Sequence, residues 1–489
     1  MVSIHRRIPS RRRTAAALVA TATALLLGPS LVPAAAAASP LQAGLFGDQD
    51  PTYDGVFRQS LGLLAYAAVG ETPPADAVSW LLGQQCPDGG FQAFRPVASD
   101  PCQKSDPIAY AGEDTNSTGI AAAALRAIGQ PHAADRALAW AAGAQNSDGG
   151  FPYFVGGSSD ANSTAVVLFG TNTAGRPPAS VAVGGVSAAD FLVGLQLGCA
   201  GAATDDDGGF AFQDYGSGLL DNDAASVQAV LALSGAALPV TPRTVSTSVP
   251  RADCTTSPPP STTAGPAELG AGHLARVLDA FSGAIPQFDY SSGARVPGSV
   301  SAGDTAWAAM SLAAVGIGRS QLDAALGVLG AAPTTAAGVR TGRVADAAAA
   351  AATADQPGQL ALVALAARAG GAGVATVAAF VARIGATMRL APAATAPSPS
   401  SSSTAPSAPS SAAPSASSSA TPSGSPTRSA SASPSVSPTS SASPSSSDLG
   451  ALSPTGATPL TPVLGVLGAT LLLAGLGLLA TARRRSAHA

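Results

Sequence analysis

The sequence predicts an all-α fold in which six buried helices are wrapped by six outer helices. Six segments begin with a polar cluster that contains Asp, continue into an Ala/Leu/Val run and often reach Gly. Because Asp favours the N-cap of a helix and Gly its C-terminal cap, each segment is predicted to form a helix of about four turns. Apolar residues lie on most faces of these helices, which indicates burial all round, whereas the segments between them are more amphipathic.

The two sets of helices alternate along the chain, and this alternation suggests an inner ring inside an outer one. A Pro/Thr/Ser-rich insertion, residues 239–267, lengthens one of the repeats. The buried helices are predicted to start at Asp54, Asp114, Asp160, Asp221, Asp304 and Asp355. The outer helices are predicted over Asp76–Gln85, Ala133–Gln145, Ser187–Leu197, Glu268–Phe281, Ser320–Gly330 and Val374–Thr387.

The two ends of the chain predict export and anchoring. Residues 1–38 combine arginines, an apolar run and the string PAAAAAS, as an export signal does, and both the Sec and the twin-arginine routes stay open. Residues 391–451 are almost entirely Ser, Pro, Ala and Thr, which predicts a disordered stalk. Residues 460–482 carry no charge and are long enough to span a bilayer, and the basic residues 483–489 favour a cytoplasmic tail. The folded domain is therefore predicted over residues 39–390.

A pentapeptide, LSPTG at residues 452–456, precedes the apolar span. It resembles the L-A-x-T-G form of a cell-wall sorting signal of Gram-positive bacteria, and the matching residues are Leu452, Thr455 and Gly456. Cleavage after Thr455 would attach the protein to peptidoglycan, and without cleavage the apolar span would hold it in the membrane. Either way the domain is expected at the cell surface.

Charge and cysteine content narrow the choice of partners. The sequence has 25 basic residues, and 17 remain when the eight arginines of the two termini are left out, against 29 acidic residues. This excess of negative charge argues against nucleic acid as a partner, because binding phosphates needs clustered positive charge. Four cysteines in an exported chain predict disulfides, and of the three pairings we favour Cys86–Cys102 and Cys199–Cys254, because each closes a local excursion of the repeat. The two histidines of the exported domain lie at no ligand-like spacing, so no metal site is predicted.

Three segments resemble the repeat of squalene cyclases and prenyltransferases. The string WLLGQQCPDGGF from Trp80 follows the pattern aromatic-Leu-x3-Gln-x(2-5)-Gly-x-aromatic. WAAGAQNSDGGF from Trp140 follows it with Ala141 for Leu, and the copy from Phe191 has a longer insertion after Gln196. The resemblance implies an (α/α)6 toroid with six inner and six outer helices, whose inner-helix ends face a central cavity.

Members of this superfamily differ in chemistry, so the residues must decide between enzyme and binding protein. A class II terpenoid cyclase protonates an alkene with the motif D-x-D-D-T-A. The nearest match supplies Asp221 and Asp223 but has Ala224 where the next Asp belongs, and only 4% of the chain is aromatic, whereas such a cyclase lines its cavity with aromatic faces. The alternative hypothesis is a cyclase- or prenyltransferase-like enzyme that acts on an isoprenoid, and its candidate catalytic residues are Asp221 and Asp223. Helix capping is the other role open to Asp160 and Asp221.

The leading hypothesis is a non-catalytic binding module for a large amphipathic small molecule, corrinoid-like or isoprenoid-like. The N-termini of the inner helices would present backbone N–H groups and polar side chains at one mouth of the ring. No cofactor is predicted, and a corrinoid enters only as a ligand, by analogy with the cobalamin carriers of the superfamily. Helix capping and hydrogen bonds between helices are equally open roles for these side chains. A structural or adhesive surface protein is the third hypothesis. The candidate ligand-binding residues are Asp114, Thr115, Asn116, Ser117, Thr118, Asp160, Asn162, Ser163, Thr164, Asp304, Thr305 and Trp307.

Overall fold

The computed structural model describes residues 43–199, 206–216, 218–251, 264–289, 294–331 and 356–390. All of them belong to one unit of the chain, Leu41–Ala489. Helices dominate these residues and the strands are two residues long, so the all-α class is confirmed. The predicted export signal, stalk, sorting pentapeptide and apolar span lie outside the described residues. Within the described ranges, no helix is long and apolar enough to cross a bilayer.

Twelve α-helices alternate between almost fully buried and half-exposed in the part of the chain that is described. The third outer helix is shorter than predicted, because residues 195–197 leave the helix and pair with residues 208–211 instead. The buried helices are α1 (Gly55–Val69), α3 (Thr115–Ala127), α5 (Ala161–Thr173), α7 (Asp223–Leu233), α9 (Ala302–Val315) and α11 (Pro357–Ala369). The outer helices are α2 (Ala75–Gln84), α4 (Pro131–Ala142), α6 (Ala188–Gly194), α8 (Pro266–Ala280), α10 (Arg319–Ala331) and α12 (Val374–Ala386).

The buried helices contact one another in a cyclic order. Each of them packs against the next buried helix along the chain, and α11 packs back against α1. Every outer helix packs against the buried helix that precedes it, and all but α2 also pack against the buried helix that follows in the cyclic order. Burial of these long Ala/Leu/Val faces is the main stabilising term, at about 25 cal/mol for each Å² of apolar surface removed from water.

Short two-stranded hairpins connect three of the outer helices, α2, α4 and α8, to the next buried helix. They place the segment just before a buried helix beside the turn that ends the preceding outer helix. The hairpins are β1 (Phe91–Gln92) with β2 (Glu113–Asp114), β3 (Phe151–Pro152) with β4 (Ser159–Asp160), and β7 (Phe288–Asp289) with β8 (Ala294–Arg295). A fourth, β5 (Ala182–Val183) with β6 (Val186–Ser187), precedes α6 after a 3₁₀ turn, Pro178–Ser180.

The repeated Asp-Gly-Gly-Phe turn joins consecutive outer helices. In the first copy Gly89 has φ +109°, and a Cβ there would lie 2.4 Å from the carbonyl oxygen of Arg136 in α4, so only glycine fits. The side-chain amide of Gln85 donates hydrogen bonds to the carbonyl oxygens of Gly89 and of Ala133 in α4. The second and third copies repeat this geometry, with Gln145 and Gln196 in the place of Gln85.

Asp114 and Asp160 are N-caps, as predicted. Their Oδ1 atoms accept hydrogen bonds from the backbone N–H of Ser117 and Ser163, at 2.6 and 2.7 Å. A hydroxyl four residues after each cap then accepts a hydrogen bond from the turn that ends the preceding outer helix, which ties the two elements together. The hydroxyl and N–H pairs are Thr118 with Phe91, Thr164 with Phe151, Ser226 with Phe210, and Thr305 with Ile285.

At two other helices the capping prediction is wrong by one to three residues. Asn222, and not Asp221, caps α7, and its side chain accepts the N–H of Ala225 at 2.9 Å. Ser301 caps α9, and Asp304 lies in the first turn, where it accepts a hydrogen bond from the Ser301 hydroxyl. The Asp221 carboxylate therefore does not cap the helix and can contact other residues.

The middle of the buried helices is filled by side chains. Phe169 of α5 and Trp307 of α9 stack with ring centroids 5.2 Å apart and planes 16° apart, and both are fully buried. Because α5 and α9 are separated by α7 in the cyclic order, this contact reaches across from one buried helix to another that is not its neighbour. Trp307 is thus a core residue.

One disulfide lies wholly within the described residues. Cys86 and Cys102 are bonded, with Cα atoms 5.8 Å apart, and they staple the long loop of the first hairpin to the turn after α2. Cys199 is also disulfide-bonded, and Cys254, its predicted partner, lies outside the described residues.

Candidate functional site

Asp221 and Asp223 lie in a compact cluster of charged side chains at the start of α7. Arg295 reaches the cluster from β8, and His273 reaches it from the middle of α8. Asp206, in the turn before Phe210, lies at its edge. Sequence reasoning found the two aspartates of α7 and did not connect Asp206 with them, and it missed Arg295 and His273, which are distant along the chain.

The arginine binds both aspartates. Nε and Nη2 of Arg295 donate to the two carboxylate oxygens of Asp223, each at 2.8 Å, and Nη2 also contacts Oδ2 of Asp221. Asp206 Oδ1 lies 3.8 Å from Nη1 of the same guanidinium. A two-pronged contact of this kind combines charge neutralisation with a defined orientation of the carboxylate. Arg295 therefore holds the three carboxylates in place and offsets one of their negative charges.

His273 completes the surroundings of Asp221. Its Nε2 lies 3.3 Å from Asp221 Oδ1 without the geometry of a hydrogen bond, and its Nδ1 has no hydrogen-bond partner among the described residues either. The side chain is fully buried. Gly209 makes room for the pair, because a Cβ there would lie 2.2 Å from Asp221 Oδ1 and 3.0 Å from His273 Nε2. The second glycine of this Asp-Gly-Gly-Phe turn thus has a role at the site as well as in the fold.

The electrostatics favour an ionised Asp221. Burial alone would raise the pKa of Asp221, but the neighbouring His273 and Arg295 outweigh burial and lower it. Burial also opposes the charge on Arg295, and hydrogen bonding to Asp223 together with the nearby carboxylates raises the pKa of the guanidinium. A general acid that protonates an alkene must hold its proton until it reacts, so an Asp221 whose ionised form is favoured by His273 and Arg295 is a poor candidate for that role.

Two groups of side chains bring potential metal ligands together in the described part of the chain. The ligand atoms of Asp221, Asp223 and His273 lie within 4.8 Å of one another. Carboxylates and imidazole suit several divalent ions, but Arg295 already supplies the positive charge between these aspartates. The second group contains Cys86 and Cys102, whose sulfurs are committed to the disulfide.

Most of the polar residues expected to contact a ligand are used inside the protein. The Thr115 hydroxyl donates to the carbonyl of Pro152, and Thr118 and Thr164 connect their helices to the preceding turns. These placements favour the capping and inter-helix alternative that the sequence left open. The fully buried members of the set are Thr115, Thr118, Thr164, Thr305 and Trp307, and nearly buried ones are Asp114, Ser117, Asp160, Asn162, Ser163 and Asp304.

Two asparagines among the predicted ligand-binding residues have a side-chain oxygen that accepts no hydrogen bond among the described residues. Asn162 donates to the carbonyl of Ala224 and to the side chain of Gln228, but its Oδ1 has no hydrogen-bond partner among the described residues. Asn116, at the same position in α3, likewise has a buried Oδ1 without a partner. Buried polar atoms are normally paired, so two unpaired acceptors at equivalent positions are unusual.

Buried carboxyls also lie at the start of the helices. Burial is the main reason that the pKa of Asp114 rises to about 7 and those of Asp160 and Asp304 to about 6. Tyr153 lies beside Asp114 and Asp160, and burial and these two carboxyls raise the pKa of its hydroxyl. The region in front of α3 and α5 is therefore poorly hydrated.

Loops between the helices carry large apolar side chains that are exposed to solvent. We call residues 105–112, 153–158, 212–216 and 218–220 the loop face. Two hydrogen bonds connect these segments. Val155 N–H donates to the Ser105 hydroxyl at 2.7 Å, and the amide of Gln213 donates at 2.9 Å to the carbonyl of Ser159, the residue that follows the second segment. Sequence reasoning missed this surface, although large apolar residues inside loops rich in Gly, Pro and Asp were a visible signal. The exposed apolar residues of the loop face are Ile108 (91%), Tyr110 (55%), Val155 (36%), Tyr215 (65%) and Leu220 (71%).

Tyr110 is held in an unusual conformation. Its φ is +50°, in the left-handed region that aromatic residues seldom adopt. Its ring packs edge-on against Phe154, with centroids 6.0 Å apart, and the side chain stays more than half exposed. Residues held in such regions concentrate at binding and catalytic sites, where the surrounding structure compensates for the strain.

The comparisons with known proteins identify no family. The chain matches no protein-family model and no curated protein. Among solved structures, a protein from Actinoplanes is similar over 69% of this chain and 93% of its own chain, with 16% sequence identity and a TM-score of 0.37. Because the TM-score and the identity are both low, this similarity says nothing about function.

Proposed function

We propose that this protein is a surface-displayed, non-catalytic binding module, built as an (α/α)6 toroid of the squalene-cyclase and prenyltransferase type. Its ligand is a large amphipathic small molecule, isoprenoid-like or corrinoid-like, that docks on the loop face. The cyclic packing of the buried helices and the three Asp-Gly-Gly-Phe turns support the toroid. The predicted stalk and anchor support display at the cell surface.

The observation that carries the binding function is the exposed, left-handed Tyr110. The left-handed backbone of Tyr110 costs conformational energy, and its exposed ring recovers little of that energy by burial in the protein. A ligand that packs on the ring would explain why the conformation is kept. Ile108 and Tyr215 are further exposed apolar side chains of the loop face, and exposed apolar surface commonly marks a binding site.

The cyclase-like alternative has less support. It requires a protonated aspartate aimed at an alkene, whereas Asp221 and Asp223 are both bound by Arg295. It also expects an aromatic cavity, whereas Trp307 is fully buried against Phe169. The binding function requires neither feature.

The test measures binding of defined probes to the full chain purified from its own host. Native mass spectra are recorded for the protein as isolated and after incubation with a prenyl alcohol or with cobalamin, and added mass with one probe class is the expected result. Tyr110→Ala should then weaken binding by about tenfold, which is about 1.4 kcal/mol for one well-packed aromatic contact.

A matched pair of valines provides the control. Val155 on the loop face and Val193 on α6 are similarly exposed, at 36% and 41%. Val155→Ser should weaken binding of the prenyl alcohol or cobalamin, and Val193→Ser should leave it unchanged. The proposal fails if neither probe class adds mass, or if the two valine variants and Tyr110→Ala all bind like the unmodified protein.

A further inference from the structure

Cys86, Cys102 and Glu113 bring three potential metal ligands together in the first repeat. The two sulfurs and a carboxylate oxygen of Glu113 lie within 4.8 Å of one another. Cys86 and Glu113 are buried, each with 1% exposed, and Cys102 is half-buried. The three residues come from the turn after α2, the long loop of the first hairpin and β2. The folded chain therefore assembles this group from separate segments.

The second repeat shows which side chains the fold itself needs at these positions. Asn146 takes the position of Cys86, because the backbone N–H of each donates to the carbonyl of the second glycine of its turn. Ser159 takes the position of Glu113, because each directly precedes the aspartate that caps a buried helix. Nδ2 of Asn146 donates to the Ser159 hydroxyl at 2.9 Å, and that hydroxyl donates to Oδ1 of Asp148 at 2.8 Å. An amide and a hydroxyl thus satisfy the fold, and the first repeat has a cysteine and a glutamate in their place.

Glu113 has a buried oxygen without a donor. Its Oε1 has no hydrogen-bond partner among the described residues, whereas buried carboxylates are normally paired or bind a metal ion. Its Oε2 lies 3.4 Å from Nζ of Lys104, which also contacts Asp88. The Lys104 side chain is 72% exposed, so it can move aside when a second cation approaches.

Reduction of the disulfide converts this group into ligands for a soft metal ion. A dithiol gives two electrons and two protons to the bond between Cys86 and Cys102 and is itself oxidised to a disulfide, which leaves two thiols. Thiolates favour Zn²⁺ over Mg²⁺ and Ca²⁺. Two thiolates on one tetrahedral zinc ion lie about 3.8 Å apart, because each Zn–S bond is about 2.3 Å long. The Cα atoms of the two cysteines, 5.8 Å apart, allow that spacing by rotation of the side chains.

We propose that Cys86, Cys102 and Glu113 bind one Zn²⁺ ion when the disulfide is reduced, with water as the fourth ligand. Each thiol releases one proton as its sulfur binds, and Glu113 binds through a carboxylate oxygen. The three anionic ligands and the ion together carry one negative charge, next to the ammonium of Lys104. Zinc then connects the long hairpin loop to the turn after α2, as the disulfide does in the oxidised chain.

The reduced form matters because the chain is predicted to be exported. Cytoplasmic thiols are kept reduced, and disulfides form in the oxidising space outside. A chain that folds before it is exported therefore has two thiols at this position and can hold the loop with zinc. This proposal is independent of the ligand on the loop face.

The test measures zinc binding to the full chain in its two redox states. The chain is reduced with a water-soluble phosphine under nitrogen, and native mass spectra are recorded with and without Zn²⁺. The reduced chain should add the mass of one zinc ion, less the protons that the ion displaces, and the disulfide-bonded chain should add none. At a free zinc concentration about 100 times the Kd, zinc should also raise the Tm of the reduced chain by about 5 °C.

Three outcomes would overturn the proposal. The reduced chain may add no mass, or both redox states may bind zinc equally, which would place the ion elsewhere. The third is a reduced chain that unfolds and does not refold when zinc is added, since its ligands would not be assembled by the fold.

A matched pair of cysteine variants locates the ion. Cys102→Ser and Cys199→Ser each remove one disulfide, so after reduction Cys102→Ser should lose the zinc ion and Cys199→Ser should keep it. With Co²⁺ in place of Zn²⁺, only the parent and Cys199→Ser should show the charge-transfer absorption of cobalt bound to thiolate. The opposite pattern would place the ion at Cys199 and contradict the assignment.

Glu113→Ser tests the third ligand. The substitution copies the second repeat, so the variant should fold and keep both cysteines, but its Kd for zinc should rise by about tenfold or more. An unchanged Kd would remove Glu113 from the site and overturn the arrangement of three ligands. Circular dichroism of each reduced variant verifies that it is folded.

Discussion

The Arg295 cluster allows a sharp test of what holds the start of α7 in place. Arg295→Met removes the cation that binds Asp221 and Asp223 and replaces it with an apolar chain of similar length. The side chains of Asp221 and Asp223 are only 7% and 4% exposed, and that of Arg295 is 24% exposed. Breaking a buried ion pair by removing one partner typically costs about 3–5 kcal/mol, because a charge is left buried and unpaired.

The partial exposure of Arg295 favours the lower end of that range, about 3 kcal/mol. At roughly 2 °C for each kcal/mol in a domain of this size, Arg295→Met should lower the Tm by about 6 °C. Adding Asp223→Asn to Arg295→Met removes one of the unpaired charges and should restore about half of the loss, whereas Asp223→Asn by itself should be destabilising. The assay is thermal unfolding followed by circular dichroism for the four proteins of this double-mutant cycle.

The physical argument depends on coupling between the two residues. If Arg295→Met leaves the Tm within about 1 °C of the parent protein, the cluster is not buried in the way described. If the two substitutions are additive, Arg295 and Asp223 do not interact in solution. Either result would refute the ion-pair reasoning and would reopen the case for Asp221 as a proton donor.

The remaining two predictions concern the buried carboxyls and the turns. The pKa of Asp114 rises from 3.8 to about 7. A carboxyl whose pKa is raised on folding stabilises the protein at low pH and loses that contribution as pH increases. For Asp114 the free energy of unfolding should fall by roughly 4 kcal/mol between the two pKa values. Asp114→Asn, which keeps the cap acceptor, should therefore shrink the Tm difference between about pH 4 and about pH 8, and an unchanged difference would contradict the shift. A Cβ at Gly90 would lie 2.7 Å from Cε2 of Trp140, so Gly90→Ala should cost about 1–3 kcal/mol in urea unfolding. Gly194→Ala, with no atom within 4 Å of its Cβ, should change stability by less than about 0.5 kcal/mol, and equal effects of the two alanines would argue against a tight turn.

Sequence patterns were sufficient to predict where the helices lie, because the signals that start, end and bury a helix are local. The N-caps at Asp114 and Asp160 and the glycine turns act within a few residues, and apolar runs report burial whatever packs against them. The same local rules misplaced the caps of α7 and α9. Asn222 and Ser301 satisfy the helix N–H groups as well as an aspartate does, and sequence alone could not rank neighbouring cap residues.

The sequence by itself determined that the described domain is all-α, where its helices lie within a few residues, and that Cys86 could pair with Cys102. Only the tertiary structure decided which charged residues meet. Arg295 and His273 are more than 45 residues from Asp221 along the chain, and they reach it because successive outer helices and hairpins pack around the buried ones. The loop face and the Lys104 contacts likewise depend on which loops lie side by side, and long-range packing sets that arrangement whereas local propensity does not.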